Sequence, residues 1–372
     1  MINVYTIHNF KNHANTVLNL GNLTILTGIN GAGKSSVMQS MLALRESFLH
    51  EPQLRSLRLD GESFNIGRSS ELINRTVTNS PDMLSMLLSS GSDNLIFQFK
   101  YPMMNSNELE NKSPLGVQGI EVLQNISLFN NNFQFLSAFR NGPRPQYDSN
   151  PSVVDFRRQI SSRMGMGEYA VYFLSQYQDE DIPVTALKHE NTVSNTLRAQ
   201  TEAWMSEISN DIRFQLEQNG NTYNIKYGYE RQNKTMQYHS AMNTGFGISY
   251  VLSIIVAVLS AKIGSLLLIE NPESHIHPSG QSALMRLISL AAENGVQIIL
   301  ETHSDHIING ALVTYKKNHF DTNNLKIYYF ERDEDFNAKP IPLHIAEDGI
   351  IKGAPLGFCD QMEMDLEVLY EL

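Results

Sequence analysis

Apolar and polar positions along this chain repeat with two periods, and the elements they predict follow in a readable order. Residues 2–7 and 16–20 pattern as a β-hairpin joined through His8 to His13. The apolar run Leu23 to Thr27 predicts a short strand. A glycine-rich turn comes next, and then Val37, Met41, Leu44 and Phe48 recur at the spacing of one helix face. Ser56 to Ile66 and Asn94 to Tyr101 predict strands on either side of a Ser/Asn-rich stretch, and Met103 to Pro114 predicts an exposed loop. Gln118 to Phe129 and Asn132 to Phe139 predict two more strands. They are closed by Arg140-Asn141-Gly142-Pro143-Arg144-Pro145, a segment that cannot be helical.

From Ser152 to about Arg213 the period becomes mostly helical, with Trp204 inside it, which marks a candidate second lobe. Residues 222–229 and 234–239 predict a hairpin. The glycine-rich segment Asn243 to Ser249 precedes an apolar helix, Tyr250 to Ala261. Ile263 to Ile269 then reads as a strand covered on both faces, ending in Glu270-Asn271-Pro272-Glu273-Ser274-His275-Ile276-His277-Pro278. A helix over 279–294, with Gly295 as its C-terminal stop, leads to the strand Val296 to Leu300 and to Glu301-Thr302-His303-Ser304-Asp305-His306. Strand, helix and strand at this length make a βαβ unit, so the two polar termini belong side by side at the carboxyl edge of a parallel sheet. Leu325 to Glu331 and Pro342 to Ala346 complete an α/β core.

The chemistry concentrates at the first glycine-rich turn. Gly28-Ile29-Asn30-Gly31-Ala32-Gly33-Lys34-Ser35 fits G-x-x-x-x-G-K-[ST], with a strand leading in and a helix, from Ser36, leading out. In such a loop the backbone N–H groups of Asn30 to Ser36 turn inward around phosphate, Lys34 neutralises the β- and γ-phosphates, and the Ser35 hydroxyl ligates Mg²⁺. That chemistry requires a carboxylate on the metal at the end of an apolar strand, where Glu270 stands. His303, at the end of the neighbouring strand, is placed to reach the γ-phosphate or the attacking water. Glu270, Glu273, His275, His277, His303, Asp305 and His306 also admit a second reading, a zinc or manganese hydrolase centre. Arg140 and Arg144 are candidates for phosphate or nucleic-acid contact as well as for a structural role, and Asn9 and Lys11 for contacts near a nucleotide.

Composition narrows the setting. A net charge of −11 argues against a surface that coats nucleic acid. Cys359, the single cysteine, cannot form an internal disulfide, which suits a reducing compartment. The longest apolar run, Tyr250 to Ala261, falls short of the about 20 residues a membrane helix needs, and the amino terminus shows no basic-then-apolar leader. A cytoplasmic protein without a membrane partner is the expectation.

The loop at Gly28 to Ser35, the Glu270-Asn271-Pro272-Glu273 segment with its His275-Ile276-His277-Pro278 extension, and Glu301-Thr302-His303-Ser304 together resemble the head domains of ABC-type ATPases. The resemblance is to the SMC/RecF and OLD-like (overcoming lysogenization defect) branch of AAA-type proteins. It extends over nearly the whole chain, including Leu136-Ser137-Ala138-Phe139-Arg140 and Gly357-Phe358-Cys359-Asp360. It implies an ATPase with ATP and Mg²⁺, an amino-terminal part of lobe I at 1–140, an inserted mainly helical lobe II at 141–262, and the rest of lobe I at 263–372. It implies further that a signature loop, matched by Thr244-Gly245-Phe246-Gly247-Ile248-Ser249 in position more than in letter, closes over ATP bound to a second copy. Gly247 and Ser249 would then face the γ-phosphate of a head-to-tail homodimer.

One position departs from the family pattern. The residue after the metal carboxylate is usually a glutamate that polarises water, and here it is Asn271, which cannot take a proton; Glu273 is the nearest substitute. Slow or partner-stimulated hydrolysis is expected, with a nucleotide-held scaffold of little turnover as the alternative. The family context implies anti-phage defence or DNA-damage sensing, with DNA as a candidate partner. An effector, nuclease or toxin, would be a separate polypeptide, since roughly 70 residues follow His303, too few for an appended nuclease domain. An importer or exporter ATPase is the third alternative, disfavoured by the poor match of the signature loop.

Overall fold

The computed structural model describes residues 1–230, 235–346, 349–355, 357–359 and 361–370. In chain order it opens with Val4–Phe10 (β1), His13–Asn19 (β2), Leu23–Gly28 (β3) and the helix Lys34–His50 (α1). Ser56–Arg58 (β4), Met83–Ser90 (β5), Asp93–Lys100 (β6), Glu108–Asn111 (β7), Val117–Gln124 (α2) and Phe133–Leu136 (β8) follow. The stretch 141–262 carries strands as well as helices: Tyr147–Asp148 (β9), Pro151–Val154 (α3), Ala170–Tyr177 (α4), Leu197–Ile208 (α5), Ile212–Asn219 (β10), Thr222–Tyr229 (β11), His239–Ser240 (β12) and Phe246–Ser260 (α6). Then come Leu266–Glu270 (β13), Pro278–Glu293 (α7), Gln297–Glu301 (β14), Asp305–Asn318 (α8), Leu325–Arg332 (β15) and Ala338–Pro342 (β16). A small ribbon of His344–Ile345 (β17) and Ile351–Lys352 (β18) and the helix Gln361–Tyr370 (α9) end the described chain.

The central sheet runs β16-β15-β3-β14-β13-β8, parallel except for β16. Its inner strands are mostly apolar because alternate residues serve two different cores. Leu267, Ile269, Ile298, Leu300, Leu23 and Ile25 point to a core shared with α6, α7 and α8. Leu266, Leu268, Ile299 and Leu26 point the other way, to α1 and to the antiparallel sheet β2-β1-β5-β6-β7-β4. Helix α6 is buried on every side from Ile248 to Leu259, as a helix without a polar face must be. In the sheet register Glu270 pairs with Glu301, Glu301 with Leu26, and Phe330 with Gly28. The carboxyl ends of β13 and β14 and the exit from β3 therefore share one edge.

Several expected elements differ. The strand expected over 118–129 is helix α2 and a helical turn at Ser127–Phe129. Leu123 is the buried residue of α2, and so few apolar positions fit either period. The strand expected over 56–66 stops at Arg58, and that over 132–139 at Leu136, where Ser137 turns to meet the Gly165 carbonyl. The Ser/Asn-rich stretch holds β5, whose buried residues Leu84, Met86 and Leu88 alternate with partly exposed ones, and the expected loop at 103–114 holds β7. The apolar helix begins at Phe246, inside the expected glycine loop. The antiparallel edge strand of the central sheet lies at 338–342, and the expected 342–346 holds β17 of the separate small ribbon. The strand expected over 234–239 begins at a residue outside the described ones, as does the Asp360 that ends the last resemblance segment; His239–Ser240 is the described part of the former.

Leu268 is fully buried at the centre of β13. Leu268→Ala is expected to lower the unfolding free energy by about 3 kcal/mol, through lost burial and the cavity left in a double-covered sheet, as measured by urea titration.

Candidate phosphate-binding site

The loop between β3 and α1 has the geometry of an anion cradle. Gly28, Gly31 and Gly33 take φ of +124°, +72° and +107°, a region closed to most side chains, and a β-carbon on Gly28 would lie 2.2 Å from the Phe330 carbonyl oxygen. Ile29 N–H donates to the Phe330 carbonyl and Ala32 N–H to the Ile29 carbonyl. The N–H groups of Asn30, Gly31, Gly33, Lys34, Ser35 and Ser36 meet no protein acceptor among the described residues. Helix α1 has no side-chain cap and no acidic residue in its first turn, so its positive end also lies open beneath the loop. Lys34 is buried, and its Nζ donates to the Gly28 and Ile29 carbonyls at 2.9 and 2.8 Å. Burial lowers its pKa, opposed by the charge of Glu301.

The expected carboxylate opposite Ser35 was Glu270, whereas Ser35 Oγ donates to Glu301 Oε1 at 2.9 Å. The reason lies in the strand order: β14 sits between β3 and β13, so its terminal residue is the nearer one to the loop. Glu301 is buried, its Oε2 has no hydrogen-bond partner among the described residues, and burial pushes its carboxyl up to about 7; the Ser35 hydrogen bond opposes the shift and the neighbouring Glu270 adds to it. Glu270 accepts from the Ala138 N–H at 2.9 Å, and burial raises its pKa as well. A hydroxyl and a carboxylate with an unspent buried oxygen, with a second carboxylate adjacent, are donors that suit a hard divalent cation such as Mg²⁺.

Asn271 takes φ of +45°, a strained value for a non-glycine residue, and is held there from both sides. Its N–H donates to the Glu301 carbonyl at 2.8 Å and its carbonyl accepts from Arg140 Nη2 at 2.8 Å. Glu273 does not face the cradle as a free base: it accepts from Thr302 Oγ1 at 2.8 Å and from the His303 N–H at 2.9 Å, tying the end of β13 to that of β14. The His303 ring is exposed; partial burial and the charge of Lys34 lower its pKa, and Glu273 counteracts.

The remaining candidates separate. Gly247 packs against the His275 carbonyl, 2.1 Å from where a β-carbon would stand, and Ser249 is buried beside Tyr147 and Tyr227. Helix α6 starts before them and carries Ser249 into the core, while Gly247 is half-buried; Met242, Asn243, Gly245 and Phe246 are the exposed residues there. His275 stacks on Phe246 and Tyr250, His277 caps α7 through Ser279, and Asp305 and His306 sit in the first turn of α8. Among the described residues no three His, Cys, Asp or Glu converge as metal ligands, which leaves the zinc or manganese reading without a centre. Asn9 is buried and bonded to Pro81, Met83 and Asn74, and Lys11 bonds Gln39. Arg144 bonds Asn141 at the surface. Arg140 is buried and structural: it donates to the Ser137, Glu270 and Asn271 carbonyls and stacks on Tyr250 at 4.3 Å.

A family model described as "AAA domain, putative AbiEii toxin, Type IV TA system" matches residues 120–309, a stretch that begins after the phosphate loop. Among solved structures, an SMC head bound to the C-terminal winged-helix domain of ScpA superposes with a TM-score of 0.58 at 13% identity, covering 92% of this chain and 98% of that one. An SMC head with an extended coiled coil, bound to the C-terminal domain of ScpA derived from Pyrococcus furiosus, gives a TM-score of 0.54 at 14% identity, covering 100% of this chain and 98% of that one. No curated protein matches in sequence. At such identities the structural likeness establishes the fold: an ABC/SMC-type P-loop head.

Glu301 yields a pH signature in the nucleotide-free protein. Its carboxyl is protonated more readily folded than unfolded, so the stability it contributes is complete below pH 4.5 and is lost as pH rises to about 7. Glu301→Gln is expected to leave stability unchanged at pH 4.5 and to raise it at pH 8 by as much as about 3 kcal/mol, measured by denaturant unfolding at the two pH values.

Proposed function

Because the chain belongs to the AAA-domain family described as a putative AbiEii toxin of a type IV toxin–antitoxin system, and has an ABC/SMC-type ATPase head fold, we propose that it binds Mg-ATP and hydrolyses it slowly. The observation that carries this reading is the row of unpaired N–H groups over the open start of α1, with a hydroxyl and two carboxylates beside it. The N–H groups of Gly31 and of Gly33 to Ser36, with the Lys34 ammonium, hold the β- and γ-phosphates. The nucleoside lies in the adjoining groove of about 460 Å³, bordered by Ser36, Asn12, Asn74, Thr76 and Phe336. Ser35, Glu270 and Glu301 hold Mg²⁺, which when bound neutralises charge that builds on the phosphates.

Asn271 orients the attacking water through its amide, and His303 holds the γ-phosphate from the next strand. Neither removes a proton outright, and phosphoryl transfer tolerates this because positioning and charge stabilisation contribute more than a strong base. Residues 1–140 and 263–372 act as one lobe and 141–262 as an inserted second. ATP closes two copies head to tail, the partner's face being the exposed segment Met242 to Phe246 rather than Gly247 and Ser249. In this reading the chain is the sensor or motor of a multi-protein defence system with a separate effector; the toxin–antitoxin wording of the family description supports the defence setting alone. A second reading, a nucleotide-held scaffold with little turnover, is favoured by one observation: the residue after Glu270 is Asn271, whose amide cannot take a proton from water.

Lys34→Ala is expected to abolish calorimetric Mg-ATP binding and the ATP-dependent increase in sedimentation coefficient; a variant that still binds as wild type rejects the site. Asn271→Glu is expected to raise the rate of phosphate release by about tenfold or more, since it supplies the missing base at a position already held in place. A slower Asn271→Glu variant would contradict the role given to the amide.

A further inference from the structure

The phosphate cradle is held from outside by two hairpins whose gripping residues lie beyond the loop motif. The turn between β1 and β2 brings His13, fully buried, beneath the loop: its Nε2 lies 3.0 Å from the Gly33 carbonyl oxygen and its Nδ1 2.9 Å from Thr16 Oγ1. A carbonyl oxygen can only accept, so Nε2 carries the proton and Nδ1 accepts from the Thr16 hydroxyl. Burial keeps the ring in that neutral form, pushing its pKa down to about 4. On the opposite side β15 ends in Arg332, whose Nη2 and Nε donate to the Asn30 and Gly31 carbonyls, each at 3.2 Å. The fit is close: a β-carbon on Gly31 would lie 2.3 Å from Arg332 Nη2, and one on Gly33 2.9 Å from His13 Nε2.

A trans peptide plane points its C=O and the following N–H in opposite directions. Holding the Asn30 carbonyl outward therefore aims the Gly31 N–H inward, and the Gly33 carbonyl, shared between His13 Nε2 at 3.0 Å and the Val37 N–H at 3.3 Å, is turned away from the cradle and does the same for Lys34. Both N–H groups are among those without a protein acceptor. We propose that His13 and Arg332 are positioning residues of the phosphate site: they grip the outer carbonyls of the loop, and so fix the N–H groups of Gly31 and Lys34 on the β-phosphate of a bound nucleotide. The binding energy of the phosphate is then not spent on ordering the loop. This inference rests on the ATP-binding reading above.

The test compares His13→Leu, His13→Gln, Arg332→Met and the wild type by calorimetry with Mg-ATP and Mg-ADP, alongside thermal unfolding without nucleotide. His13→Leu and Arg332→Met are each expected to weaken ATP and ADP alike by about tenfold, because both nucleotides present the β-phosphate. His13→Gln, whose amide can still donate to Gly33, is expected to bind within about threefold of wild type. Arg332 is exposed, so its variant folds without cost to the core. Should His13→Leu not fold, the ring ¹⁵N spectrum of His13 in the wild type takes its place, with the Nε2–H tautomer expected and the Nδ1–H tautomer overturning the role. Wild-type affinity in Arg332→Met, or weakening of ATP without ADP, would also overturn it. A wild-type protein that binds neither nucleotide would reject the ATP reading itself, a separate outcome.

Discussion

Backbone N–H groups left without partners at the start of α1 are the constraint around which this molecule is arranged. A helix begins with donors that its own carbonyls cannot reach, and most proteins quench them with a capping side chain or an acidic first turn. Here the N-cap is Gly33, at φ +107°, and the first turn carries lysine and serine instead. The donors stay unpaired among the described residues, the positive end of the helix stays open, and three glycines bend the loop that carries them. The loop is affordable because its outer face is fully employed, by Lys34 on the Gly28 and Ile29 carbonyls, Arg332 on Asn30 and Gly31, and His13 on Gly33.

The second determinant is the crowding of carboxylates at one sheet edge. Parallel pairing of β13 with β14 sets Glu270 opposite Glu301, and Glu273 folds back to hold Thr302 and His303. Burial pushes the Glu301 carboxyl up to about 7, and the like charge of the neighbouring Glu270 adds to the shift. Lys34 is the nearby cation on the loop side and Arg140 the one on the far side. A divalent ion would relieve this crowding, which is a physical reason for the edge to bind Mg²⁺ together with a nucleotide. Arg140 also ties the turn after β8 to the end of β13 through three carbonyl contacts, so the strained backbone of Asn271 is held by packing at a distance from the loop it serves.

The phosphate loop, the βαβ unit and its polar strand ends were legible in the sequence because each is local. A glycine spacing, an apolar run and a helix period need no partner to be recognised, and Lys34, Ser35, Glu270, Asn271 and His303 do converge on one edge. Elements whose signal is short or divided were less legible. Helix α2 and strand β5 bury few residues each, so neither period stood out, and the helix that absorbs Phe246 to Ser249 buries Ser249, one of the two residues expected to face a partner.

What the amino-acid order by itself determined is the phosphate-binding motif and the α/β class, since both follow from contacts within a few residues. The tertiary structure alone decided that Glu301 is the carboxylate on Ser35, because strand order in a sheet depends on crossovers that no local pattern encodes. It likewise decided that His13 and Arg332, 319 residues apart in the chain (332 − 13), grip one loop from its two sides. Neither residue carries a motif; each acquires its part from where two hairpins happen to close.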